Sequence, residues 1–189
     1  MTSFTFVTQS SNKIAEVERI LGIKLEYCYL NLPEIQAVEV EEVIAHKVKY
    51  AYEALGKKPV MIEDTGLFIE AWNGLPGALT KWFVERLGAT GICSMMHEFS
   101  NKNAWAKTIV ATYDGQLRIF TGKVEGRIAP VPSGDGGFGW DKVFIPNGAV
   151  KTFAEMSPDE KDKYSMRRLA LEATMTYYSQ SQAIGVQNV

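Results

Sequence analysis

The sequence predicts an α/β fold. Short apolar runs rich in β-branched and aromatic residues alternate with stretches of helical periodicity from one end of the chain to the other. The composition, 46% hydrophobic and 22% charged, is that of an ordinary globular chain able to bury a core. No internal repeat, linker or low-complexity stretch marks a boundary, so residues 1–189 read as a single α/β domain.

Phe4 to Thr8 reads as a short strand, and Gln9-Ser10-Ser11-Asn12 as a turn supplying helix N-caps. Ile14, Val17, Ile20 and Leu21 recur at helical spacing until Gly22 stops the helix. A strand–loop–helix opening is a common phosphate site, because the unpaired N–H groups of a helix start attract anions. Leu25 to Leu30 reads as a second strand. Val40 to Leu55 reads as a helix with Val40, Ile44, Val48, Ala51 and Leu55 on one face. Pro59 to Ile62 is a strand that runs into Glu63-Asp64-Thr65-Gly66. A Gly/Pro loop from Gly74 to Gly77 precedes two helical segments, Ala78 to Leu87 and Thr90 to Phe99. Ala104 to Tyr113 and Leu117 to Ile128 are two long strands around the turn Asp114-Gly115. Pro158 to Tyr178 is mainly helical, and the polar tail from Ser179 is expected to fray.

Charge and cysteine content exclude several classes of function. A net charge of -2 leaves no basic footprint for duplex nucleic acid, though a small anionic ligand is held by local charge. Cys28 and Cys93 are far apart and lack metal-ligand spacing, which reads as free thiols in a reducing compartment. Met1 to Lys13 lacks the apolar run of a signal peptide, and no apolar run approaches the ~18 residues of a membrane span. The expectation is a soluble cytoplasmic protein with no membrane partner.

Glu63 and Asp64 follow the apolar run Val60-Met61-Ile62, at the end of the expected strand. Adjacent strand residues face opposite sides, so one of the two is expected to face a ligand. Carboxylates beside a glycine at a strand end are placed to hold Mg²⁺, a hard ion that takes oxygen ligands. Glu34 in Leu32-Pro33-Glu34 can bring a second carboxylate; the competing reading of such acids is turn capping. Lys13 sits where the first loop meets its helix and is the favoured phosphate contact. Lys47 and Lys49, and Lys161, Lys163, Arg167 and Arg168, are further basic candidates, each otherwise an ordinary surface charge. His46 and His97 belong to no catalytic constellation. There is no HExxH, no GxGxxG directly after a strand and no Walker-type loop, which favours metal-assisted hydrolysis over covalent catalysis.

Phe138-Gly139-Trp140-Asp141 follows the run Ser133-Gly134-Asp135-Gly136-Gly137. Strand-like alternation would turn both rings to one side as a nucleobase slot, with Asp141 accepting a ring N–H. The alternative is the buried end of a core strand.

Taken together in order, these segments resemble the inosine triphosphate pyrophosphatases, the family of non-standard purine NTP pyrophosphatases. Phe6-Val7-Thr8 with Lys13 and Glu16 is similar to its opening T-G-N-x-x-K-x-x-E, and Leu32-Pro33-Glu34 to its acidic segment. Glu63 to Leu67, Asn73 to Gly77 and Lys81-Trp82-Phe83 resemble its most specific block. Phe120-Thr121-Gly122, Gly126-Arg127-Ile128, Phe138 to Asp141, Phe153 to Met156 and Glu160-Lys161 complete a match over nearly the whole chain. The resemblance implies an elongated, two-lobed mixed sheet flanked by helices, with a central nucleotide-binding cleft, and a homodimer. It implies Mg²⁺-dependent hydrolysis of ITP, dITP and XTP to the monophosphate and pyrophosphate, which cleanses the nucleotide pool.

By position, the resemblance makes Glu34 and Asp64 the metal ligands, with Asp64 also the base that activates water and Lys13 its catalytic partner. It makes Thr8, Gln9, Ser10, Ser11, Asn12 and Lys13 the phosphate loop, aided by Thr65 and Lys47. Phe138, Gly139, Trp140 and Asp141 become the base site, and Lys161 and Arg167 a closing segment. Two positions depart from the pattern. Gln9-Ser10 replaces Gly-Asn, losing a residue that accepts positive φ. Met166 replaces a histidine, and methionine packs against a purine without hydrogen-bonding it; a smaller margin of ITP over ATP and GTP is expected. Two rivals stay open: a nucleotide sensor or sink without catalysis, and a pyrophosphatase with another base preference.

Overall fold

The structure, a computed structural model, describes residues 3–185. β1 (Thr5–Val7), α1 (Ser11–Leu21), β2 (Tyr27–Cys28), α2 (Val40–Ala54) and β3 (Val60–Ile69) come first. A 3-10 turn (Glu70–Trp72), β4 (Pro76–Gly77), α3 (Thr80–Met95), β5 (Asn103–Tyr113) and β6 (Leu117–Ile128) follow. β7 (Phe144–Pro146), a second 3-10 turn (Phe153–Glu155), α4 (Pro158–Asp162) and α5 (Met166–Gly185) complete the chain.

The seven strands form one mixed sheet in the order β2-β1-β3-β5-β6-β7, with β4 paired to β3. β1 runs parallel to β2 and β3, and the other pairs are antiparallel. Helix–strand alternation at the start gives the parallel part, and the Asp114-Gly115 turn gives the long β5–β6 hairpin. Packing divides along the length of β3 and β5. At one end α2 lays Val40, Ile44, Val48 and Ala51 on Val60, Ile62, Ile109 and Ala111. On the opposite face α1 and α5 pack Ile14, Val17, Ala170 and Leu171 against Met61 and Val110. At the other end Leu67, Ile69, Ala104 and Ala106 meet α3, Trp140, Phe144 and Phe153. The polar stretch Glu63-Asp64-Thr65-Gly66 lies between the two apolar stretches of β3, as the floor between two lobes.

Several boundaries differ from the sequence expectation. β3 does not stop at Ile62; ten residues pair with β5, so Glu63 and Asp64 are mid-strand. Of Leu25 to Leu30 only Tyr27 and Cys28 pair. The Pro158–Tyr178 helix is broken at residues 163–165 into α4 and α5. α5 continues to Gly185, past the fraying expected from Ser179; residues 186–189 lie outside the described ones. Among the described residues no helix is long and apolar enough to cross a membrane.

Candidate active site

The first loop is tied by its own side chains. Thr8 Oγ1 accepts from the Ser10 amide at 3.1 Å, and Ser10 Oγ accepts from Lys13 N at 3.3 Å as the N-cap of α1. Lys13 then reaches across to β3. Its Nζ donates to the Glu63 carbonyl at 3.1 Å and stands 3.4 Å from Glu63 Oε2 and 3.7 Å from Asp64 Oδ1.

Strand alternation sends Glu63 toward α1 and α5, and Asp64 toward α2. Lys47, buried on α2, donates to Asp64 Oδ2 at 2.8 Å and to Glu34 Oε1 at 2.7 Å. Two carboxylates thus share one ammonium. Burial alone would raise the Asp64 pKa, but the charges of Lys13 and Lys47 outweigh it and hold the carboxyl below its usual range. Burial alone would lower the Lys47 pKa, but Asp64 and Glu34 raise it. Thr65 gives its amide to Asp64 Oδ1 at 2.9 Å and its hydroxyl proton to Glu63 Oε1 at 2.5 Å. That proton is therefore committed to Glu63 rather than free for a ligand.

At the other end, residues 138–141 form a turn, not the expected strand, with Gly137 and Gly139 at positive φ. The two rings consequently part. Trp140 is buried at 8% exposure, edge-on to Phe144 at 5.5 Å, and belongs mainly to the core. Phe138 stays half-buried, with Lys161 Nζ 5.2 Å and the Arg167 guanidinium 5.6 Å from its ring centre. Asp141 does not await a ring N–H. Its Oδ2 accepts from the Phe138 amide at 2.9 Å and from Lys161 at 2.8 Å, closing the turn. Arg167 is fully buried between Glu16 and Glu63, donating to both. Burial would raise the Glu63 pKa, but Arg167 and Lys13 bring it down to about 2.

A cleft of about 780 Å³ joins the two ends. Thr8, Gln9, Ser10, Asn12, Lys13, Glu34, Lys47, Asp64 and Thr65 border it, as do Phe138 to Asp141, Lys161, Met166 and Arg167. Ser11 does not; it is the exposed first residue of α1. The sequence reading offered Glu63 and Asp64 as alternatives and settled on Asp64, yet Glu63 also borders the cleft; it gave no role to Glu16, which holds Arg167. Alternation correctly put Glu63 and Asp64 on opposite faces, yet the cleft wraps the strand and reaches both. Lys81, Trp82 and Glu85 on α3 form a further wall; Lys81-Trp82 stood in the matched block without an assigned role. Among the described residues no group of three or more His, Cys, Asp or Glu could hold a metal ion.

A match to the Ham1 family covers residues 4–177. The chain belongs to the Ham1 family. It is 39% identical to the dITP/XTP pyrophosphatase of Thermococcus kodakarensis, over 88% of this chain and 91% of that one. It is 42% identical to inosine triphosphate pyrophosphatase 2 of Trypanosoma cruzi, over 92% of this chain and 91% of that one. The solved structure of a HAM1 protein from Coxiella burnetii superposes with a TM-score of 0.80 at 27% identity, covering 95% of this chain and all of the other.

Within this Ham1-family chain, both departures from the resemblance are absorbed locally. Gln9 and Ser10 need no positive φ, because among the described residues only Lys57 and Asn73 adopt it without being glycine; Ser10 is extended. Met166 is 2% exposed and packs into the apolar cluster with Trp140, Phe144 and Phe153. It reaches the cleft as part of an apolar floor.

Proposed function

We propose that this chain hydrolyses non-standard purine nucleoside triphosphates, chiefly ITP, dITP and XTP, to the monophosphate and pyrophosphate with Mg²⁺. The names of its Ham1 relatives, dITP/XTP and inosine triphosphate pyrophosphatases, support the substrate class. The observation that carries the reading is the polarity of one cleft. Paired carboxylates with Lys13 and Lys47 stand at one end, and the Phe138 ring with Lys161 and Arg167 at the other. A triphosphate joined to a flat base has the same polarity.

Mg²⁺ commonly takes one or two carboxylates and completes its shell with waters and phosphate oxygens. The Glu34–Asp64 pair fits that donor set, since it already holds one cation, the Lys47 ammonium, at 2.7 and 2.8 Å. When bound, the ion neutralises phosphate charge and polarises the phosphoryl oxygens. Asp64 accepts the proton of the attacking water, while Lys13 and Lys47 take up charge on the phosphates. The two lysines now depress the Asp64 pKa. Their charges keep Asp64 ionised, the form in which it can hold a cation and accept a proton. Asp141 and Lys161 hold the Phe138 turn, against which the base stacks.

The same reading has a cytoplasmic homodimer acting on free nucleotides, without nucleic acid or membrane. The resemblance supports the homodimer, and the net charge of -2, without a basic footprint, supports a free nucleotide rather than a nucleic acid.

Pyrophosphate release from ITP, dITP, XTP, ATP and GTP with Mg²⁺ tests the proposal. ITP, dITP and XTP are expected to turn over fastest. Asp64→Asn is expected to lower kcat by about 10²-fold or more while nucleotide still binds. Near-normal turnover by that variant would remove Asp64 from its role. Tight binding without turnover by the wild type would favour a sensor.

A further inference from the structure

One buried polar residue beneath α5 has no part in the proposed function. Thr108 on β5 has no exposed surface, and its neighbours on the same face of the strand, Ala106 and Val110, are apolar. Its register partner on β3 is Thr65, and the two hydroxyls stand 2.7 Å apart. A threonine hydroxyl has one proton to give. Thr65 gives its proton to Glu63 Oε1, so it can only accept from Thr108. The bonds therefore run one way, from Thr108 to Thr65 to Glu63. The same Glu63 oxygen accepts from Arg167 Nη2 at 3.3 Å, and that guanidinium lies 5.6 Å from the Phe138 ring centre.

On its other side Thr108 pairs with Gly122 of β6. A Cβ at Gly122 would come within 1.9 Å of the Met166 carbonyl oxygen. The start of α5 therefore rests directly on the row Thr65–Thr108–Gly122. The missing side chain lets the helix down onto the sheet, and the hydroxyl pair fixes the carboxylate that receives Arg167.

We propose that Thr108 is a positioning residue for the nucleobase end of the cleft: its hydroxyl directs Thr65 onto Glu63 and thereby seats Arg167 beside Phe138. This rests on the proposed function in taking Arg167 and Phe138 as the base-facing pair.

Thr108→Val keeps the shape and removes the hydroxyl, while Thr108→Ser keeps the hydroxyl. For each, kcat/KM and equilibrium affinity are measured with ITP and ATP, and inhibition with tripolyphosphate, which has no base. Thr108→Val is expected to shrink the ITP:ATP ratio about fivefold, the size of one hydrogen bond. Thr108→Ser should preserve the ratio, and tripolyphosphate inhibition should not move. In a Thr65→Val background, Thr108→Val should change the ratio little further, because the chain is already broken. An unchanged ratio in Thr108→Val, an equal loss with tripolyphosphate, or simple additivity with Thr65→Val would overturn the assignment. So would a wild type that binds ITP and ATP equally. If Thr108→Val does not fold, Thr108→Ala and Thr108→Ser decide: the ratio must follow the hydroxyl, and equal behaviour refutes the role. A wild type without turnover defeats the proposed function, while the two affinities still read the Thr108 effect.

Discussion

At 8% exposure, with Phe144 at 5.5 Å and Phe153 at 6.2 Å, Trp140 is held by the core around it. Phe138, two residues earlier, keeps an open face and lies near two cations. Phe138→Ala is therefore expected to weaken nucleotide binding by about 1–3 kcal/mol, the range of base–aromatic stacking, with tripolyphosphate affinity unchanged. Trp140→Ala is expected to cost about 3–5 kcal/mol of stability, as large-to-small changes in a packed core do. Calorimetric titration and urea denaturation of both variants check this; a stable Trp140→Ala that loses only nucleotide affinity would reverse the two roles. Met166→His likewise sets an imidazole into an apolar cluster, so any change in selectivity must be read beside its stability. The sequence shows an aromatic pair flanking a glycine. It does not show which ring turns outward, because Gly137 and Gly139 leave the strand alternation on which that inference depends.

Among the elements, α3 was legible down to its break. Two helical segments meeting near residue 88 are read from the sequence, and Gly88 indeed interrupts α3 with φ 64° and ψ 179°. That backbone region is close to glycine-only. A Cβ at Gly88 has open space around it, so conformation alone decides the effect of a substitution. Gly88→Ala is expected to cost about 1–3 kcal/mol. An unshifted denaturation midpoint would mean the break tolerates alanine. The reach of β3 was not legible, for a physical reason. Glu63-Asp64-Thr65-Gly66 has the composition of a strand end, and its side chains find most of their partners in α1, α2, β5 and α5, far away in sequence. β4 and β7, of two and three residues, are too short to carry a periodic signal. The convergence of Lys13, Asp64 and Glu34 on one end of the cleft was readable, because each sits beside a turn or strand signal and within a segment that resembles the family. The roles of Glu16 and Glu63 were not, because both neutralise a buried arginine that only tertiary contact reveals.

Across the whole molecule, the helices, the sheet and the 138–141 turn meet at buried charge. Glu16, Glu63 and Asp141 face Arg167, Lys161 and Lys13, drawn from α1, β3, that turn, α4 and α5. Such a network makes stability depend on pH through linkage. The Glu63 pKa is about 2 in the fold, against roughly 4.3 for a free glutamate. The folded state therefore prefers the ionised form. The resulting stabilisation, on the order of 3 kcal/mol, is complete above the unfolded pKa and disappears as pH falls from there toward the folded pKa. Asp64, also depressed, adds in the same direction. Urea midpoints between about pH 6 and pH 2 should fall steeply for the wild type. Glu63→Gln should begin lower by about 3–5 kcal/mol, because it leaves Arg167 short of a buried counter-charge, and then decline less on acidification. If wild type and Glu63→Gln lose stability in parallel as the pH falls, the acid sensitivity belongs to other carboxylates and the buried network does not carry it.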